Sequence, residues 1–182
     1  MNLTLILGPM KSGKSFDLIS RFAHLKYAQI PFALFNSARN TRDKNVFSRN
    51  GNLELEAKKI RDFNEIEPGN LKIIGIDEIH MFDEKDTLVI NNFLKQGIDV
   101  VACGLDTDYR GQIFPIIKKL FELGPKKVIY KRAVCESCKI PEAVYTQILK
   151  DGQAIFEGLP AVVPEDGSYV YRPLCRNCFV KK

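Results

Sequence analysis

Three groups of residues in this chain have the types and spacing to do chemistry. The first is Gly8-Pro9-Met10-Lys11-Ser12-Gly13-Lys14-Ser15, which fits G-x-x-x-x-G-K-[ST] at every fixed position. Gly8 and Gly13 let the backbone curl so that successive N–H groups point at anionic oxygens from a helix N-terminus. In such a phosphate-binding loop Lys14 adds a cation at the β- and γ-phosphates of a nucleotide, and the Ser15 hydroxyl is a ligand for Mg2+. The second group is Asp77-Glu78, at the end of the apolar run Leu71 to Ile76. A strand-end aspartate in a chain with a phosphate loop is the expected second holder of magnesium. A glutamate beside it can orient an attacking hydroxyl or water and accept its proton.

The third group is Cys135-x-x-Cys138 with Cys175-x-x-Cys178. Four soft thiolates in two pairs suit a tetrahedral zinc ion, and a site with no open position makes that zinc structural. Cys103 sits inside an apolar strand and reads as a small core residue. Neither His24 nor His80 has zinc-site spacing. His80 is close enough to the acidic pair to line its site, and His24 belongs to the surface or packing of the first helix.

The elements that must position these groups follow from periodicity. Leu3 to Leu7 is a buried strand entering the loop, and Phe16, Ile19, Phe22, Ala23 and Leu25 form a helical stripe from Ser15 to about Ala28. Phe32 to Phe35 is a second strand, Asn36 to Asn50 a polar loop, and Leu53 to Ala57 an edge strand. Leu71 to Ile76 is a buried strand. Asp83 to Gly97 is a helix capped near Asp83, Ile98 to Cys103 is another buried strand, and Lys126 to Arg132 a further one. Alternating strands and helices imply an α/β fold with a parallel sheet whose ligands sit at the carboxyl ends of the strands, where Gly8, Asp77 and Asp106 lie. After Cys135, Pro, Gly and aromatic residues replace the helical patterns. The division expected is a nucleotide-binding core of residues 1–133 and a zinc-binding unit of 134–182.

The chain has 182 residues, of which 45% are hydrophobic, enough for a core with a small accessory module. Its formal charge of +5 is spread along the sequence, which makes a solvated basic surface the expectation and nucleic acid an unlikely partner. No apolar run is long enough to span a membrane, and no basic secretory n-region precedes Leu3, so the expectation is a cytoplasmic protein.

In order and spacing the motifs resemble the zinc-containing (type II) thymidine kinase family over nearly the whole chain. The resemblance is carried by G-P-M-K-S-G-K-S at Gly8 to Ser15, N-T-R-D at Asn40 to Asp43 and I-D-E-I-H-M-F at Ile76 to Phe82. It continues through G-L-D-T-D-Y-R-G-Q-I-F at Gly104 to Phe114, A-V-C-E-S-C at Ala133 to Cys138 and Y-R-P-L-C-R-N-C at Tyr171 to Cys178. It implies a P-loop NTPase-like parallel sheet flanked by helices, with a small C-terminal zinc-ribbon or lasso domain. The implied reaction is transfer of the γ-phosphoryl of ATP to the 5′-hydroxyl of thymidine or deoxyuridine, in nucleotide salvage for DNA synthesis, by a homotetramer.

By the same resemblance Glu78 is the base that takes the 5′-hydroxyl proton and Asp77 the magnesium-associated aspartate. Arg42 lies near the transferred phosphoryl, with Arg110 a weaker candidate. Met10, Met81, Leu105, Tyr109 and Phe114 surround the base, Thr146 lies beneath its 5-methyl group, and Tyr171 stands on the closing loop. The family usually has an aromatic residue at Lys11, Gln-Phe at His80-Met81, Pro at Ile113 and aspartate at Asn40. A Gly-containing stretch usually stands at Pro164-Glu165. These departures leave the loop and the base in place and alter the nucleoside pocket. A different class of function, an ATP-binding zinc-ribbon protein with a regulatory or nucleic-acid-linked role, is disfavoured by the acidic Glu136, Glu142, Asp151, Glu157, Glu165 and Asp166 around the cysteines.

Overall fold

The computed structural model describes residues 1–41, 45–48, 53–163 and 167–179. Arg42 lies outside the described residues. Six parallel strands make the main sheet: β1 (Leu3–Leu7), β2 (Phe32–Ser37), β5 (Lys58–Ile60), β6 (Ile73–Asp77), β7 (Asp99–Gly104) and β8 (Lys127–Tyr130), in the order β5-β2-β6-β7-β1-β8. Helix α1 (Lys14–Tyr27) covers one face, while α2 (Thr87–Lys95) and α3 (Pro115–Glu122) cover the other.

Side-chain alternation explains the two layers. Leu5 and Leu7 of β1 and Ile74 and Ile76 of β6 join Ile90, Phe93, Ile116 and Leu120 from α2 and α3. Ile6 and Val101 turn the other way and meet Leu18, Ile19 and Phe22 of α1. Each fully buried aliphatic or aromatic side chain contributes about 1.5–3 kcal/mol, so both faces need a helical cover. Gly75 interrupts the apolar run of β6 for a packing reason. A Cβ there would lie 2.2 Å from Leu34 Cδ2 and 2.7 Å from Phe22 Cζ, space that side chains of β2 and α1 already fill.

Several elements depart from the sequence expectation. The segment read as a loop over Asn36 to Asn50 begins inside β2, which runs to Ser37, and contains β3 (Val46–Ser48). This strand pairs antiparallel with β4 (Leu53–Leu55), and the pair packs Val46 and Leu55 onto the α1 layer. The edge of the main sheet is β5 instead. Helix α3 escaped the sequence reading although Pro115 occupies its first turn, a position where a missing N–H costs nothing. The helix expected from Asp83 starts as a 3₁₀ turn, Glu84–Asp86, with Asp83 and Asp86 capping each other's backbone, before α2 proper.

The C-terminal part forms a separate antiparallel sheet, β10-β9-β11, from β9 (Tyr145–Lys150), β10 (Gln153–Ile155) and β11 (Val170–Leu174). Asp151 and Gly152, both at positive φ, make the two-residue turn between β9 and β10 that a hairpin favours. In the main sheet, Gly8, Glu78 and Leu105 follow the carboxyl ends of β1, β6 and β7, on one edge. No helix among the described residues is long and apolar enough to cross a membrane.

Candidate active site

The phosphate loop is shaped by three residues at positive φ: Gly8 at 149°, Lys11 at 61° and Gly13 at 79°. Gly8 also meets the chain beyond β8, since a Cβ there would stand 2.3 Å from the Lys131 carbonyl oxygen. Helix α1 begins at Lys14, so its free N–H groups open onto the loop. The Lys14 ammonium is buried and donates to the Pro9 carbonyl at 2.7 Å and to Ser12 Oγ at 3.5 Å.

Asp77 ends β6 directly under this loop and is nearly sealed from water. Its Oδ1 accepts from Ser15 Oγ at 3.3 Å, from the Glu78 N–H at 3.0 Å and from the Cys103 thiol at 2.8 Å. Burial raises its pKa, while the three donors and the Lys14 charge oppose the rise. The same burial, together with Asp77, pushes the Cys103 thiol well up, which keeps it a neutral donor rather than a nucleophile. Ser15 and Asp77 therefore present adjacent hard oxygen donors, the set that fits magnesium.

Glu78 stands in the left-handed region, φ 52° and ψ 43°, an uncommon conformation for a residue with a Cβ. This turn carries the side chain away from Asp77 and brings its Oε2 to 3.5 Å from His80 Nδ1. Nδ1 accepts the Leu105 N–H at 3.3 Å. Burial, with Lys14 adding to it, pushes the His80 pKa down to about 3. The imidazole is neutral with its proton on Nε2, so its approach to Glu78 is no ion pair.

Beyond this pair lies a narrow hollow of about 20 Å3, largely closed by its own walls. Six of the residues expected around a nucleoside line it: Met81, Leu105, Tyr109, Phe114, Thr146 and Tyr171. His80, Asp108, Ile148 and the stretch Ala161 to Val163 complete the wall. Thr146 and Ile148 share one face of β9, and Tyr171 of β11 is in register with Ile148. The Tyr109 hydroxyl donates to the Leu159 carbonyl at 2.8 Å and accepts the Leu159 N–H at 3.1 Å, while the Tyr171 hydroxyl donates to the Val163 carbonyl at 3.1 Å. Two tyrosines thus fasten Leu159 and Val163, on either side of the hollow-lining Ala161 and Val162. Met10 sits beside the hollow, packed on the core.

Two contacts tie the phosphate loop to the C-terminal sheet. The Met10 N–H donates to Thr146 Oγ1 at 3.0 Å, and Lys11 Nζ pairs with Glu136 at 2.5 Å. Lys11 belongs to the loop by its backbone, but its ammonium faces the cysteine knuckle. Arg110 is likewise engaged, with Nε and Nη2 on Asp108 Oδ2 at 2.8 and 2.6 Å. Asp108, Ile148 and Leu159 escaped the sequence reading. A turn read around Gly111 would have been the one local signal for Asp108, and nothing local marks the other two.

The thiols of Cys135, Cys138, Cys175 and Cys178 lie within 4.8 Å of one another, and the Cys138 and Cys175 sulfurs are 3.7 Å apart. Zinc–sulfur bonds of about 2.3 Å in a tetrahedron set sulfurs roughly 3.8 Å apart, so the group fits such an ion. Burial raises the Cys135 pKa, but backbone N–H groups of Cys138, Cys175 and Ser137 overcome it and favour the thiolate.

A family model described as thymidine kinase matches residues 1–179. A protein named thymidine kinase from Thermococcus kodakarensis is 33% identical over 185 aligned residues, covering 96% of this chain and 92% of its own. One so named from Roseiflexus sp. is 30% identical, covering 97% of this chain and 94% of its own. One from Ureaplasma urealyticum is 34% identical over 144 residues, 75% of this chain and 64% of its own.

The depressed pKa of His80 has a consequence for stability. From pH 6.5 down to about 3 the unfolded chain binds a proton that the folded chain refuses, so stability falls as pH falls, by about 2 kcal/mol at pH 5. His80→Gln removes this slope. Thermal midpoints at pH 7 and pH 5 should show a smaller acid loss in the variant, and an equal loss in both proteins would mean that His80 does not titrate in this way.

Proposed function

Because the chain belongs to the thymidine kinase family, we propose that it transfers the γ-phosphoryl of ATP to the 5′-hydroxyl of thymidine, with deoxyuridine the alternative acceptor. The observation that carries this reading is the placement of one dipeptide. Asp77 bonds Ser15 of the phosphate loop, while Glu78, the next residue, reaches His80 in the wall of the hollow. A donor phosphate and an acceptor hydroxyl would meet between them.

The residues divide the work as follows. Backbone N–H groups of residues 8–15 and the Lys14 ammonium hold the phosphates. Ser15 and Asp77 would hold magnesium, which neutralises charge on the transferring group. Glu78 accepts the proton of the attacking hydroxyl; its left-handed backbone aims it off the strand axis. Tyr109, Phe114, Leu105 and Met81 give the base apolar and aromatic walls. Thr146, tethered to Met10, fixes the floor of the hollow relative to the loop. Arg42 near the transferred phosphoryl belongs to the same proposal.

ATP as donor and assembly as a homotetramer are parts of this reading that rest on family membership; zinc is supported by the four close cysteine thiols, and the division at residues 133 and 134 and a cytoplasmic location by the sequence pattern. The nucleic-acid-linked alternative is not favoured.

Two outcomes follow. Glu78→Gln should lower turnover by ~10²-fold or more with thymidine binding retained, because only proton acceptance is removed. Unchanged turnover in steady-state assays would take Glu78 out of the mechanism. Cys175→Ser should lose bound zinc, measured by metal analysis, and with it affinity for thymidine, since β11 carries both Cys175's neighbours and Tyr171. Retention of a full zinc equivalent would contradict the four-cysteine site.

A further inference from the structure

Among the described residues, the buried side-chain nitrogens and oxygens without a hydrogen-bond partner are Asn36 Oδ1, Asn36 Nδ2 and Asp106 Oδ1. All of them lie at the carboxyl edge of the main sheet, on or just past β2 and β7. Buried polar groups are nearly always paired, and an amide with both ends unmade is expensive to keep. Asn36 is 1% exposed, so neither end can turn to bulk water.

Its position is set by register. Asn36 of β2 is the direct partner of Asp77 on β6, and in-register residues of neighbouring parallel strands point to the same side of the sheet. Leu34, two residues earlier on β2, packs in the layer of Phe22, so Asn36 faces α1. On the other flank of Asp77, Cys103 of β7 faces the same way and donates its thiol to Oδ1. Asn36, Asp77 and Cys103 therefore form one row beneath the N-terminus of α1, where Ser15 closes on Asp77. Of this row, Asp77 Oδ1 already accepts three bonds, one of them from Cys103; Asn36 offers an open acceptor and an open donor.

We propose that Asn36 is a binding residue of the magnesium–nucleotide site, its Oδ1 accepting from a metal-bound water and its Nδ2 donating to a phosphate oxygen. The inference rests on the kinase reading above and adds a residue to it. An amide suits both demands. Metal-bound water is a donor only, terminal phosphate oxygens are acceptors only, and magnesium keeps several of its waters when bound by one or two protein oxygens. A leucine of the same shape would meet neither, yet would remove two unpaired atoms from the interior.

The test is Asn36→Leu in the full chain, with ATP affinity measured calorimetrically in magnesium and in EDTA beside the thermal midpoint of the free protein. Expected are a midpoint equal to or above wild type, a weaker affinity in EDTA from the lost Nδ2–phosphate contact, and about a tenfold loss of the affinity gained on adding magnesium. If wild type gains affinity with magnesium and Asn36→Leu gains as much, the inference is wrong while the kinase reading stands. A lowered midpoint with an intact magnesium response would also overturn it, showing Asn36 to be a structural residue satisfied by buried water. If wild type shows no magnesium-dependent ATP binding, both fail together. Should leucine prevent folding, Asn36→Ala gives the same magnesium comparison.

Discussion

A carboxylate almost removed from water sets the terms for the centre of this molecule. Asp77 keeps its place at the end of β6 because Ser15, the Glu78 N–H and the Cys103 thiol all donate to one of its oxygens, with Lys14 close enough to act through charge. Those donors come from α1, from the turn after β6 and from β7. The loop, the acidic turn and the neighbouring strand are thereby held in mutual register by one desolvated carboxyl group. Removing a single donor from such a group leaves a costly deficit, which makes the arrangement rigid as well as stable.

The second dependence runs between the two sheets. A phosphate loop alone places an anion; it does not say what accepts the phosphoryl. The acceptor side comes from the C-terminal sheet, where β9 and β11 present Thr146, Ile148 and Tyr171, and from the stretch held down by the hydroxyls of Tyr109 and Tyr171. The link between donor and acceptor sides is short: Met10 to Thr146 and Lys11 to Glu136. The exposed Lys11–Glu136 pair adds little energy by itself. The Met10 bond matters more, since it engages a loop N–H and a buried hydroxyl that would otherwise be unpaired.

Much of this was legible in the sequence where local pattern and global fold agree. The loop motif, the strand ending at Asp77 and the cysteine pairs each carry their own signal, and the strands at Leu3, Ile73 and Asp99 are long apolar runs. What escaped has a common cause. The short β3 and β5 are held by packing of Val46 and Ile60 rather than by propensity, so a polar stretch hid them, whereas β4 falls inside the strand expected over Leu53 to Ala57. Helix α3 is only two turns long, and its apolar Ile116, Ile117 and Leu120 gain meaning only against the sheet. Lys11 read as a phosphate contact because its position in the motif says so, whereas its partner Glu136 lies 125 residues away. Asn36 had no signal in the sequence at all; its interest arises from the strand register beside Asp77.

The most direct test of the account is to incubate the purified protein with magnesium, ATP and thymidine and to identify the products by phosphorus NMR. The account predicts thymidine 5′-monophosphate and ADP in equal amounts, with neither formed when magnesium is chelated. ADP released without any nucleoside phosphate would contradict it, because the hollow beside Glu78 would then admit water rather than a nucleoside hydroxyl.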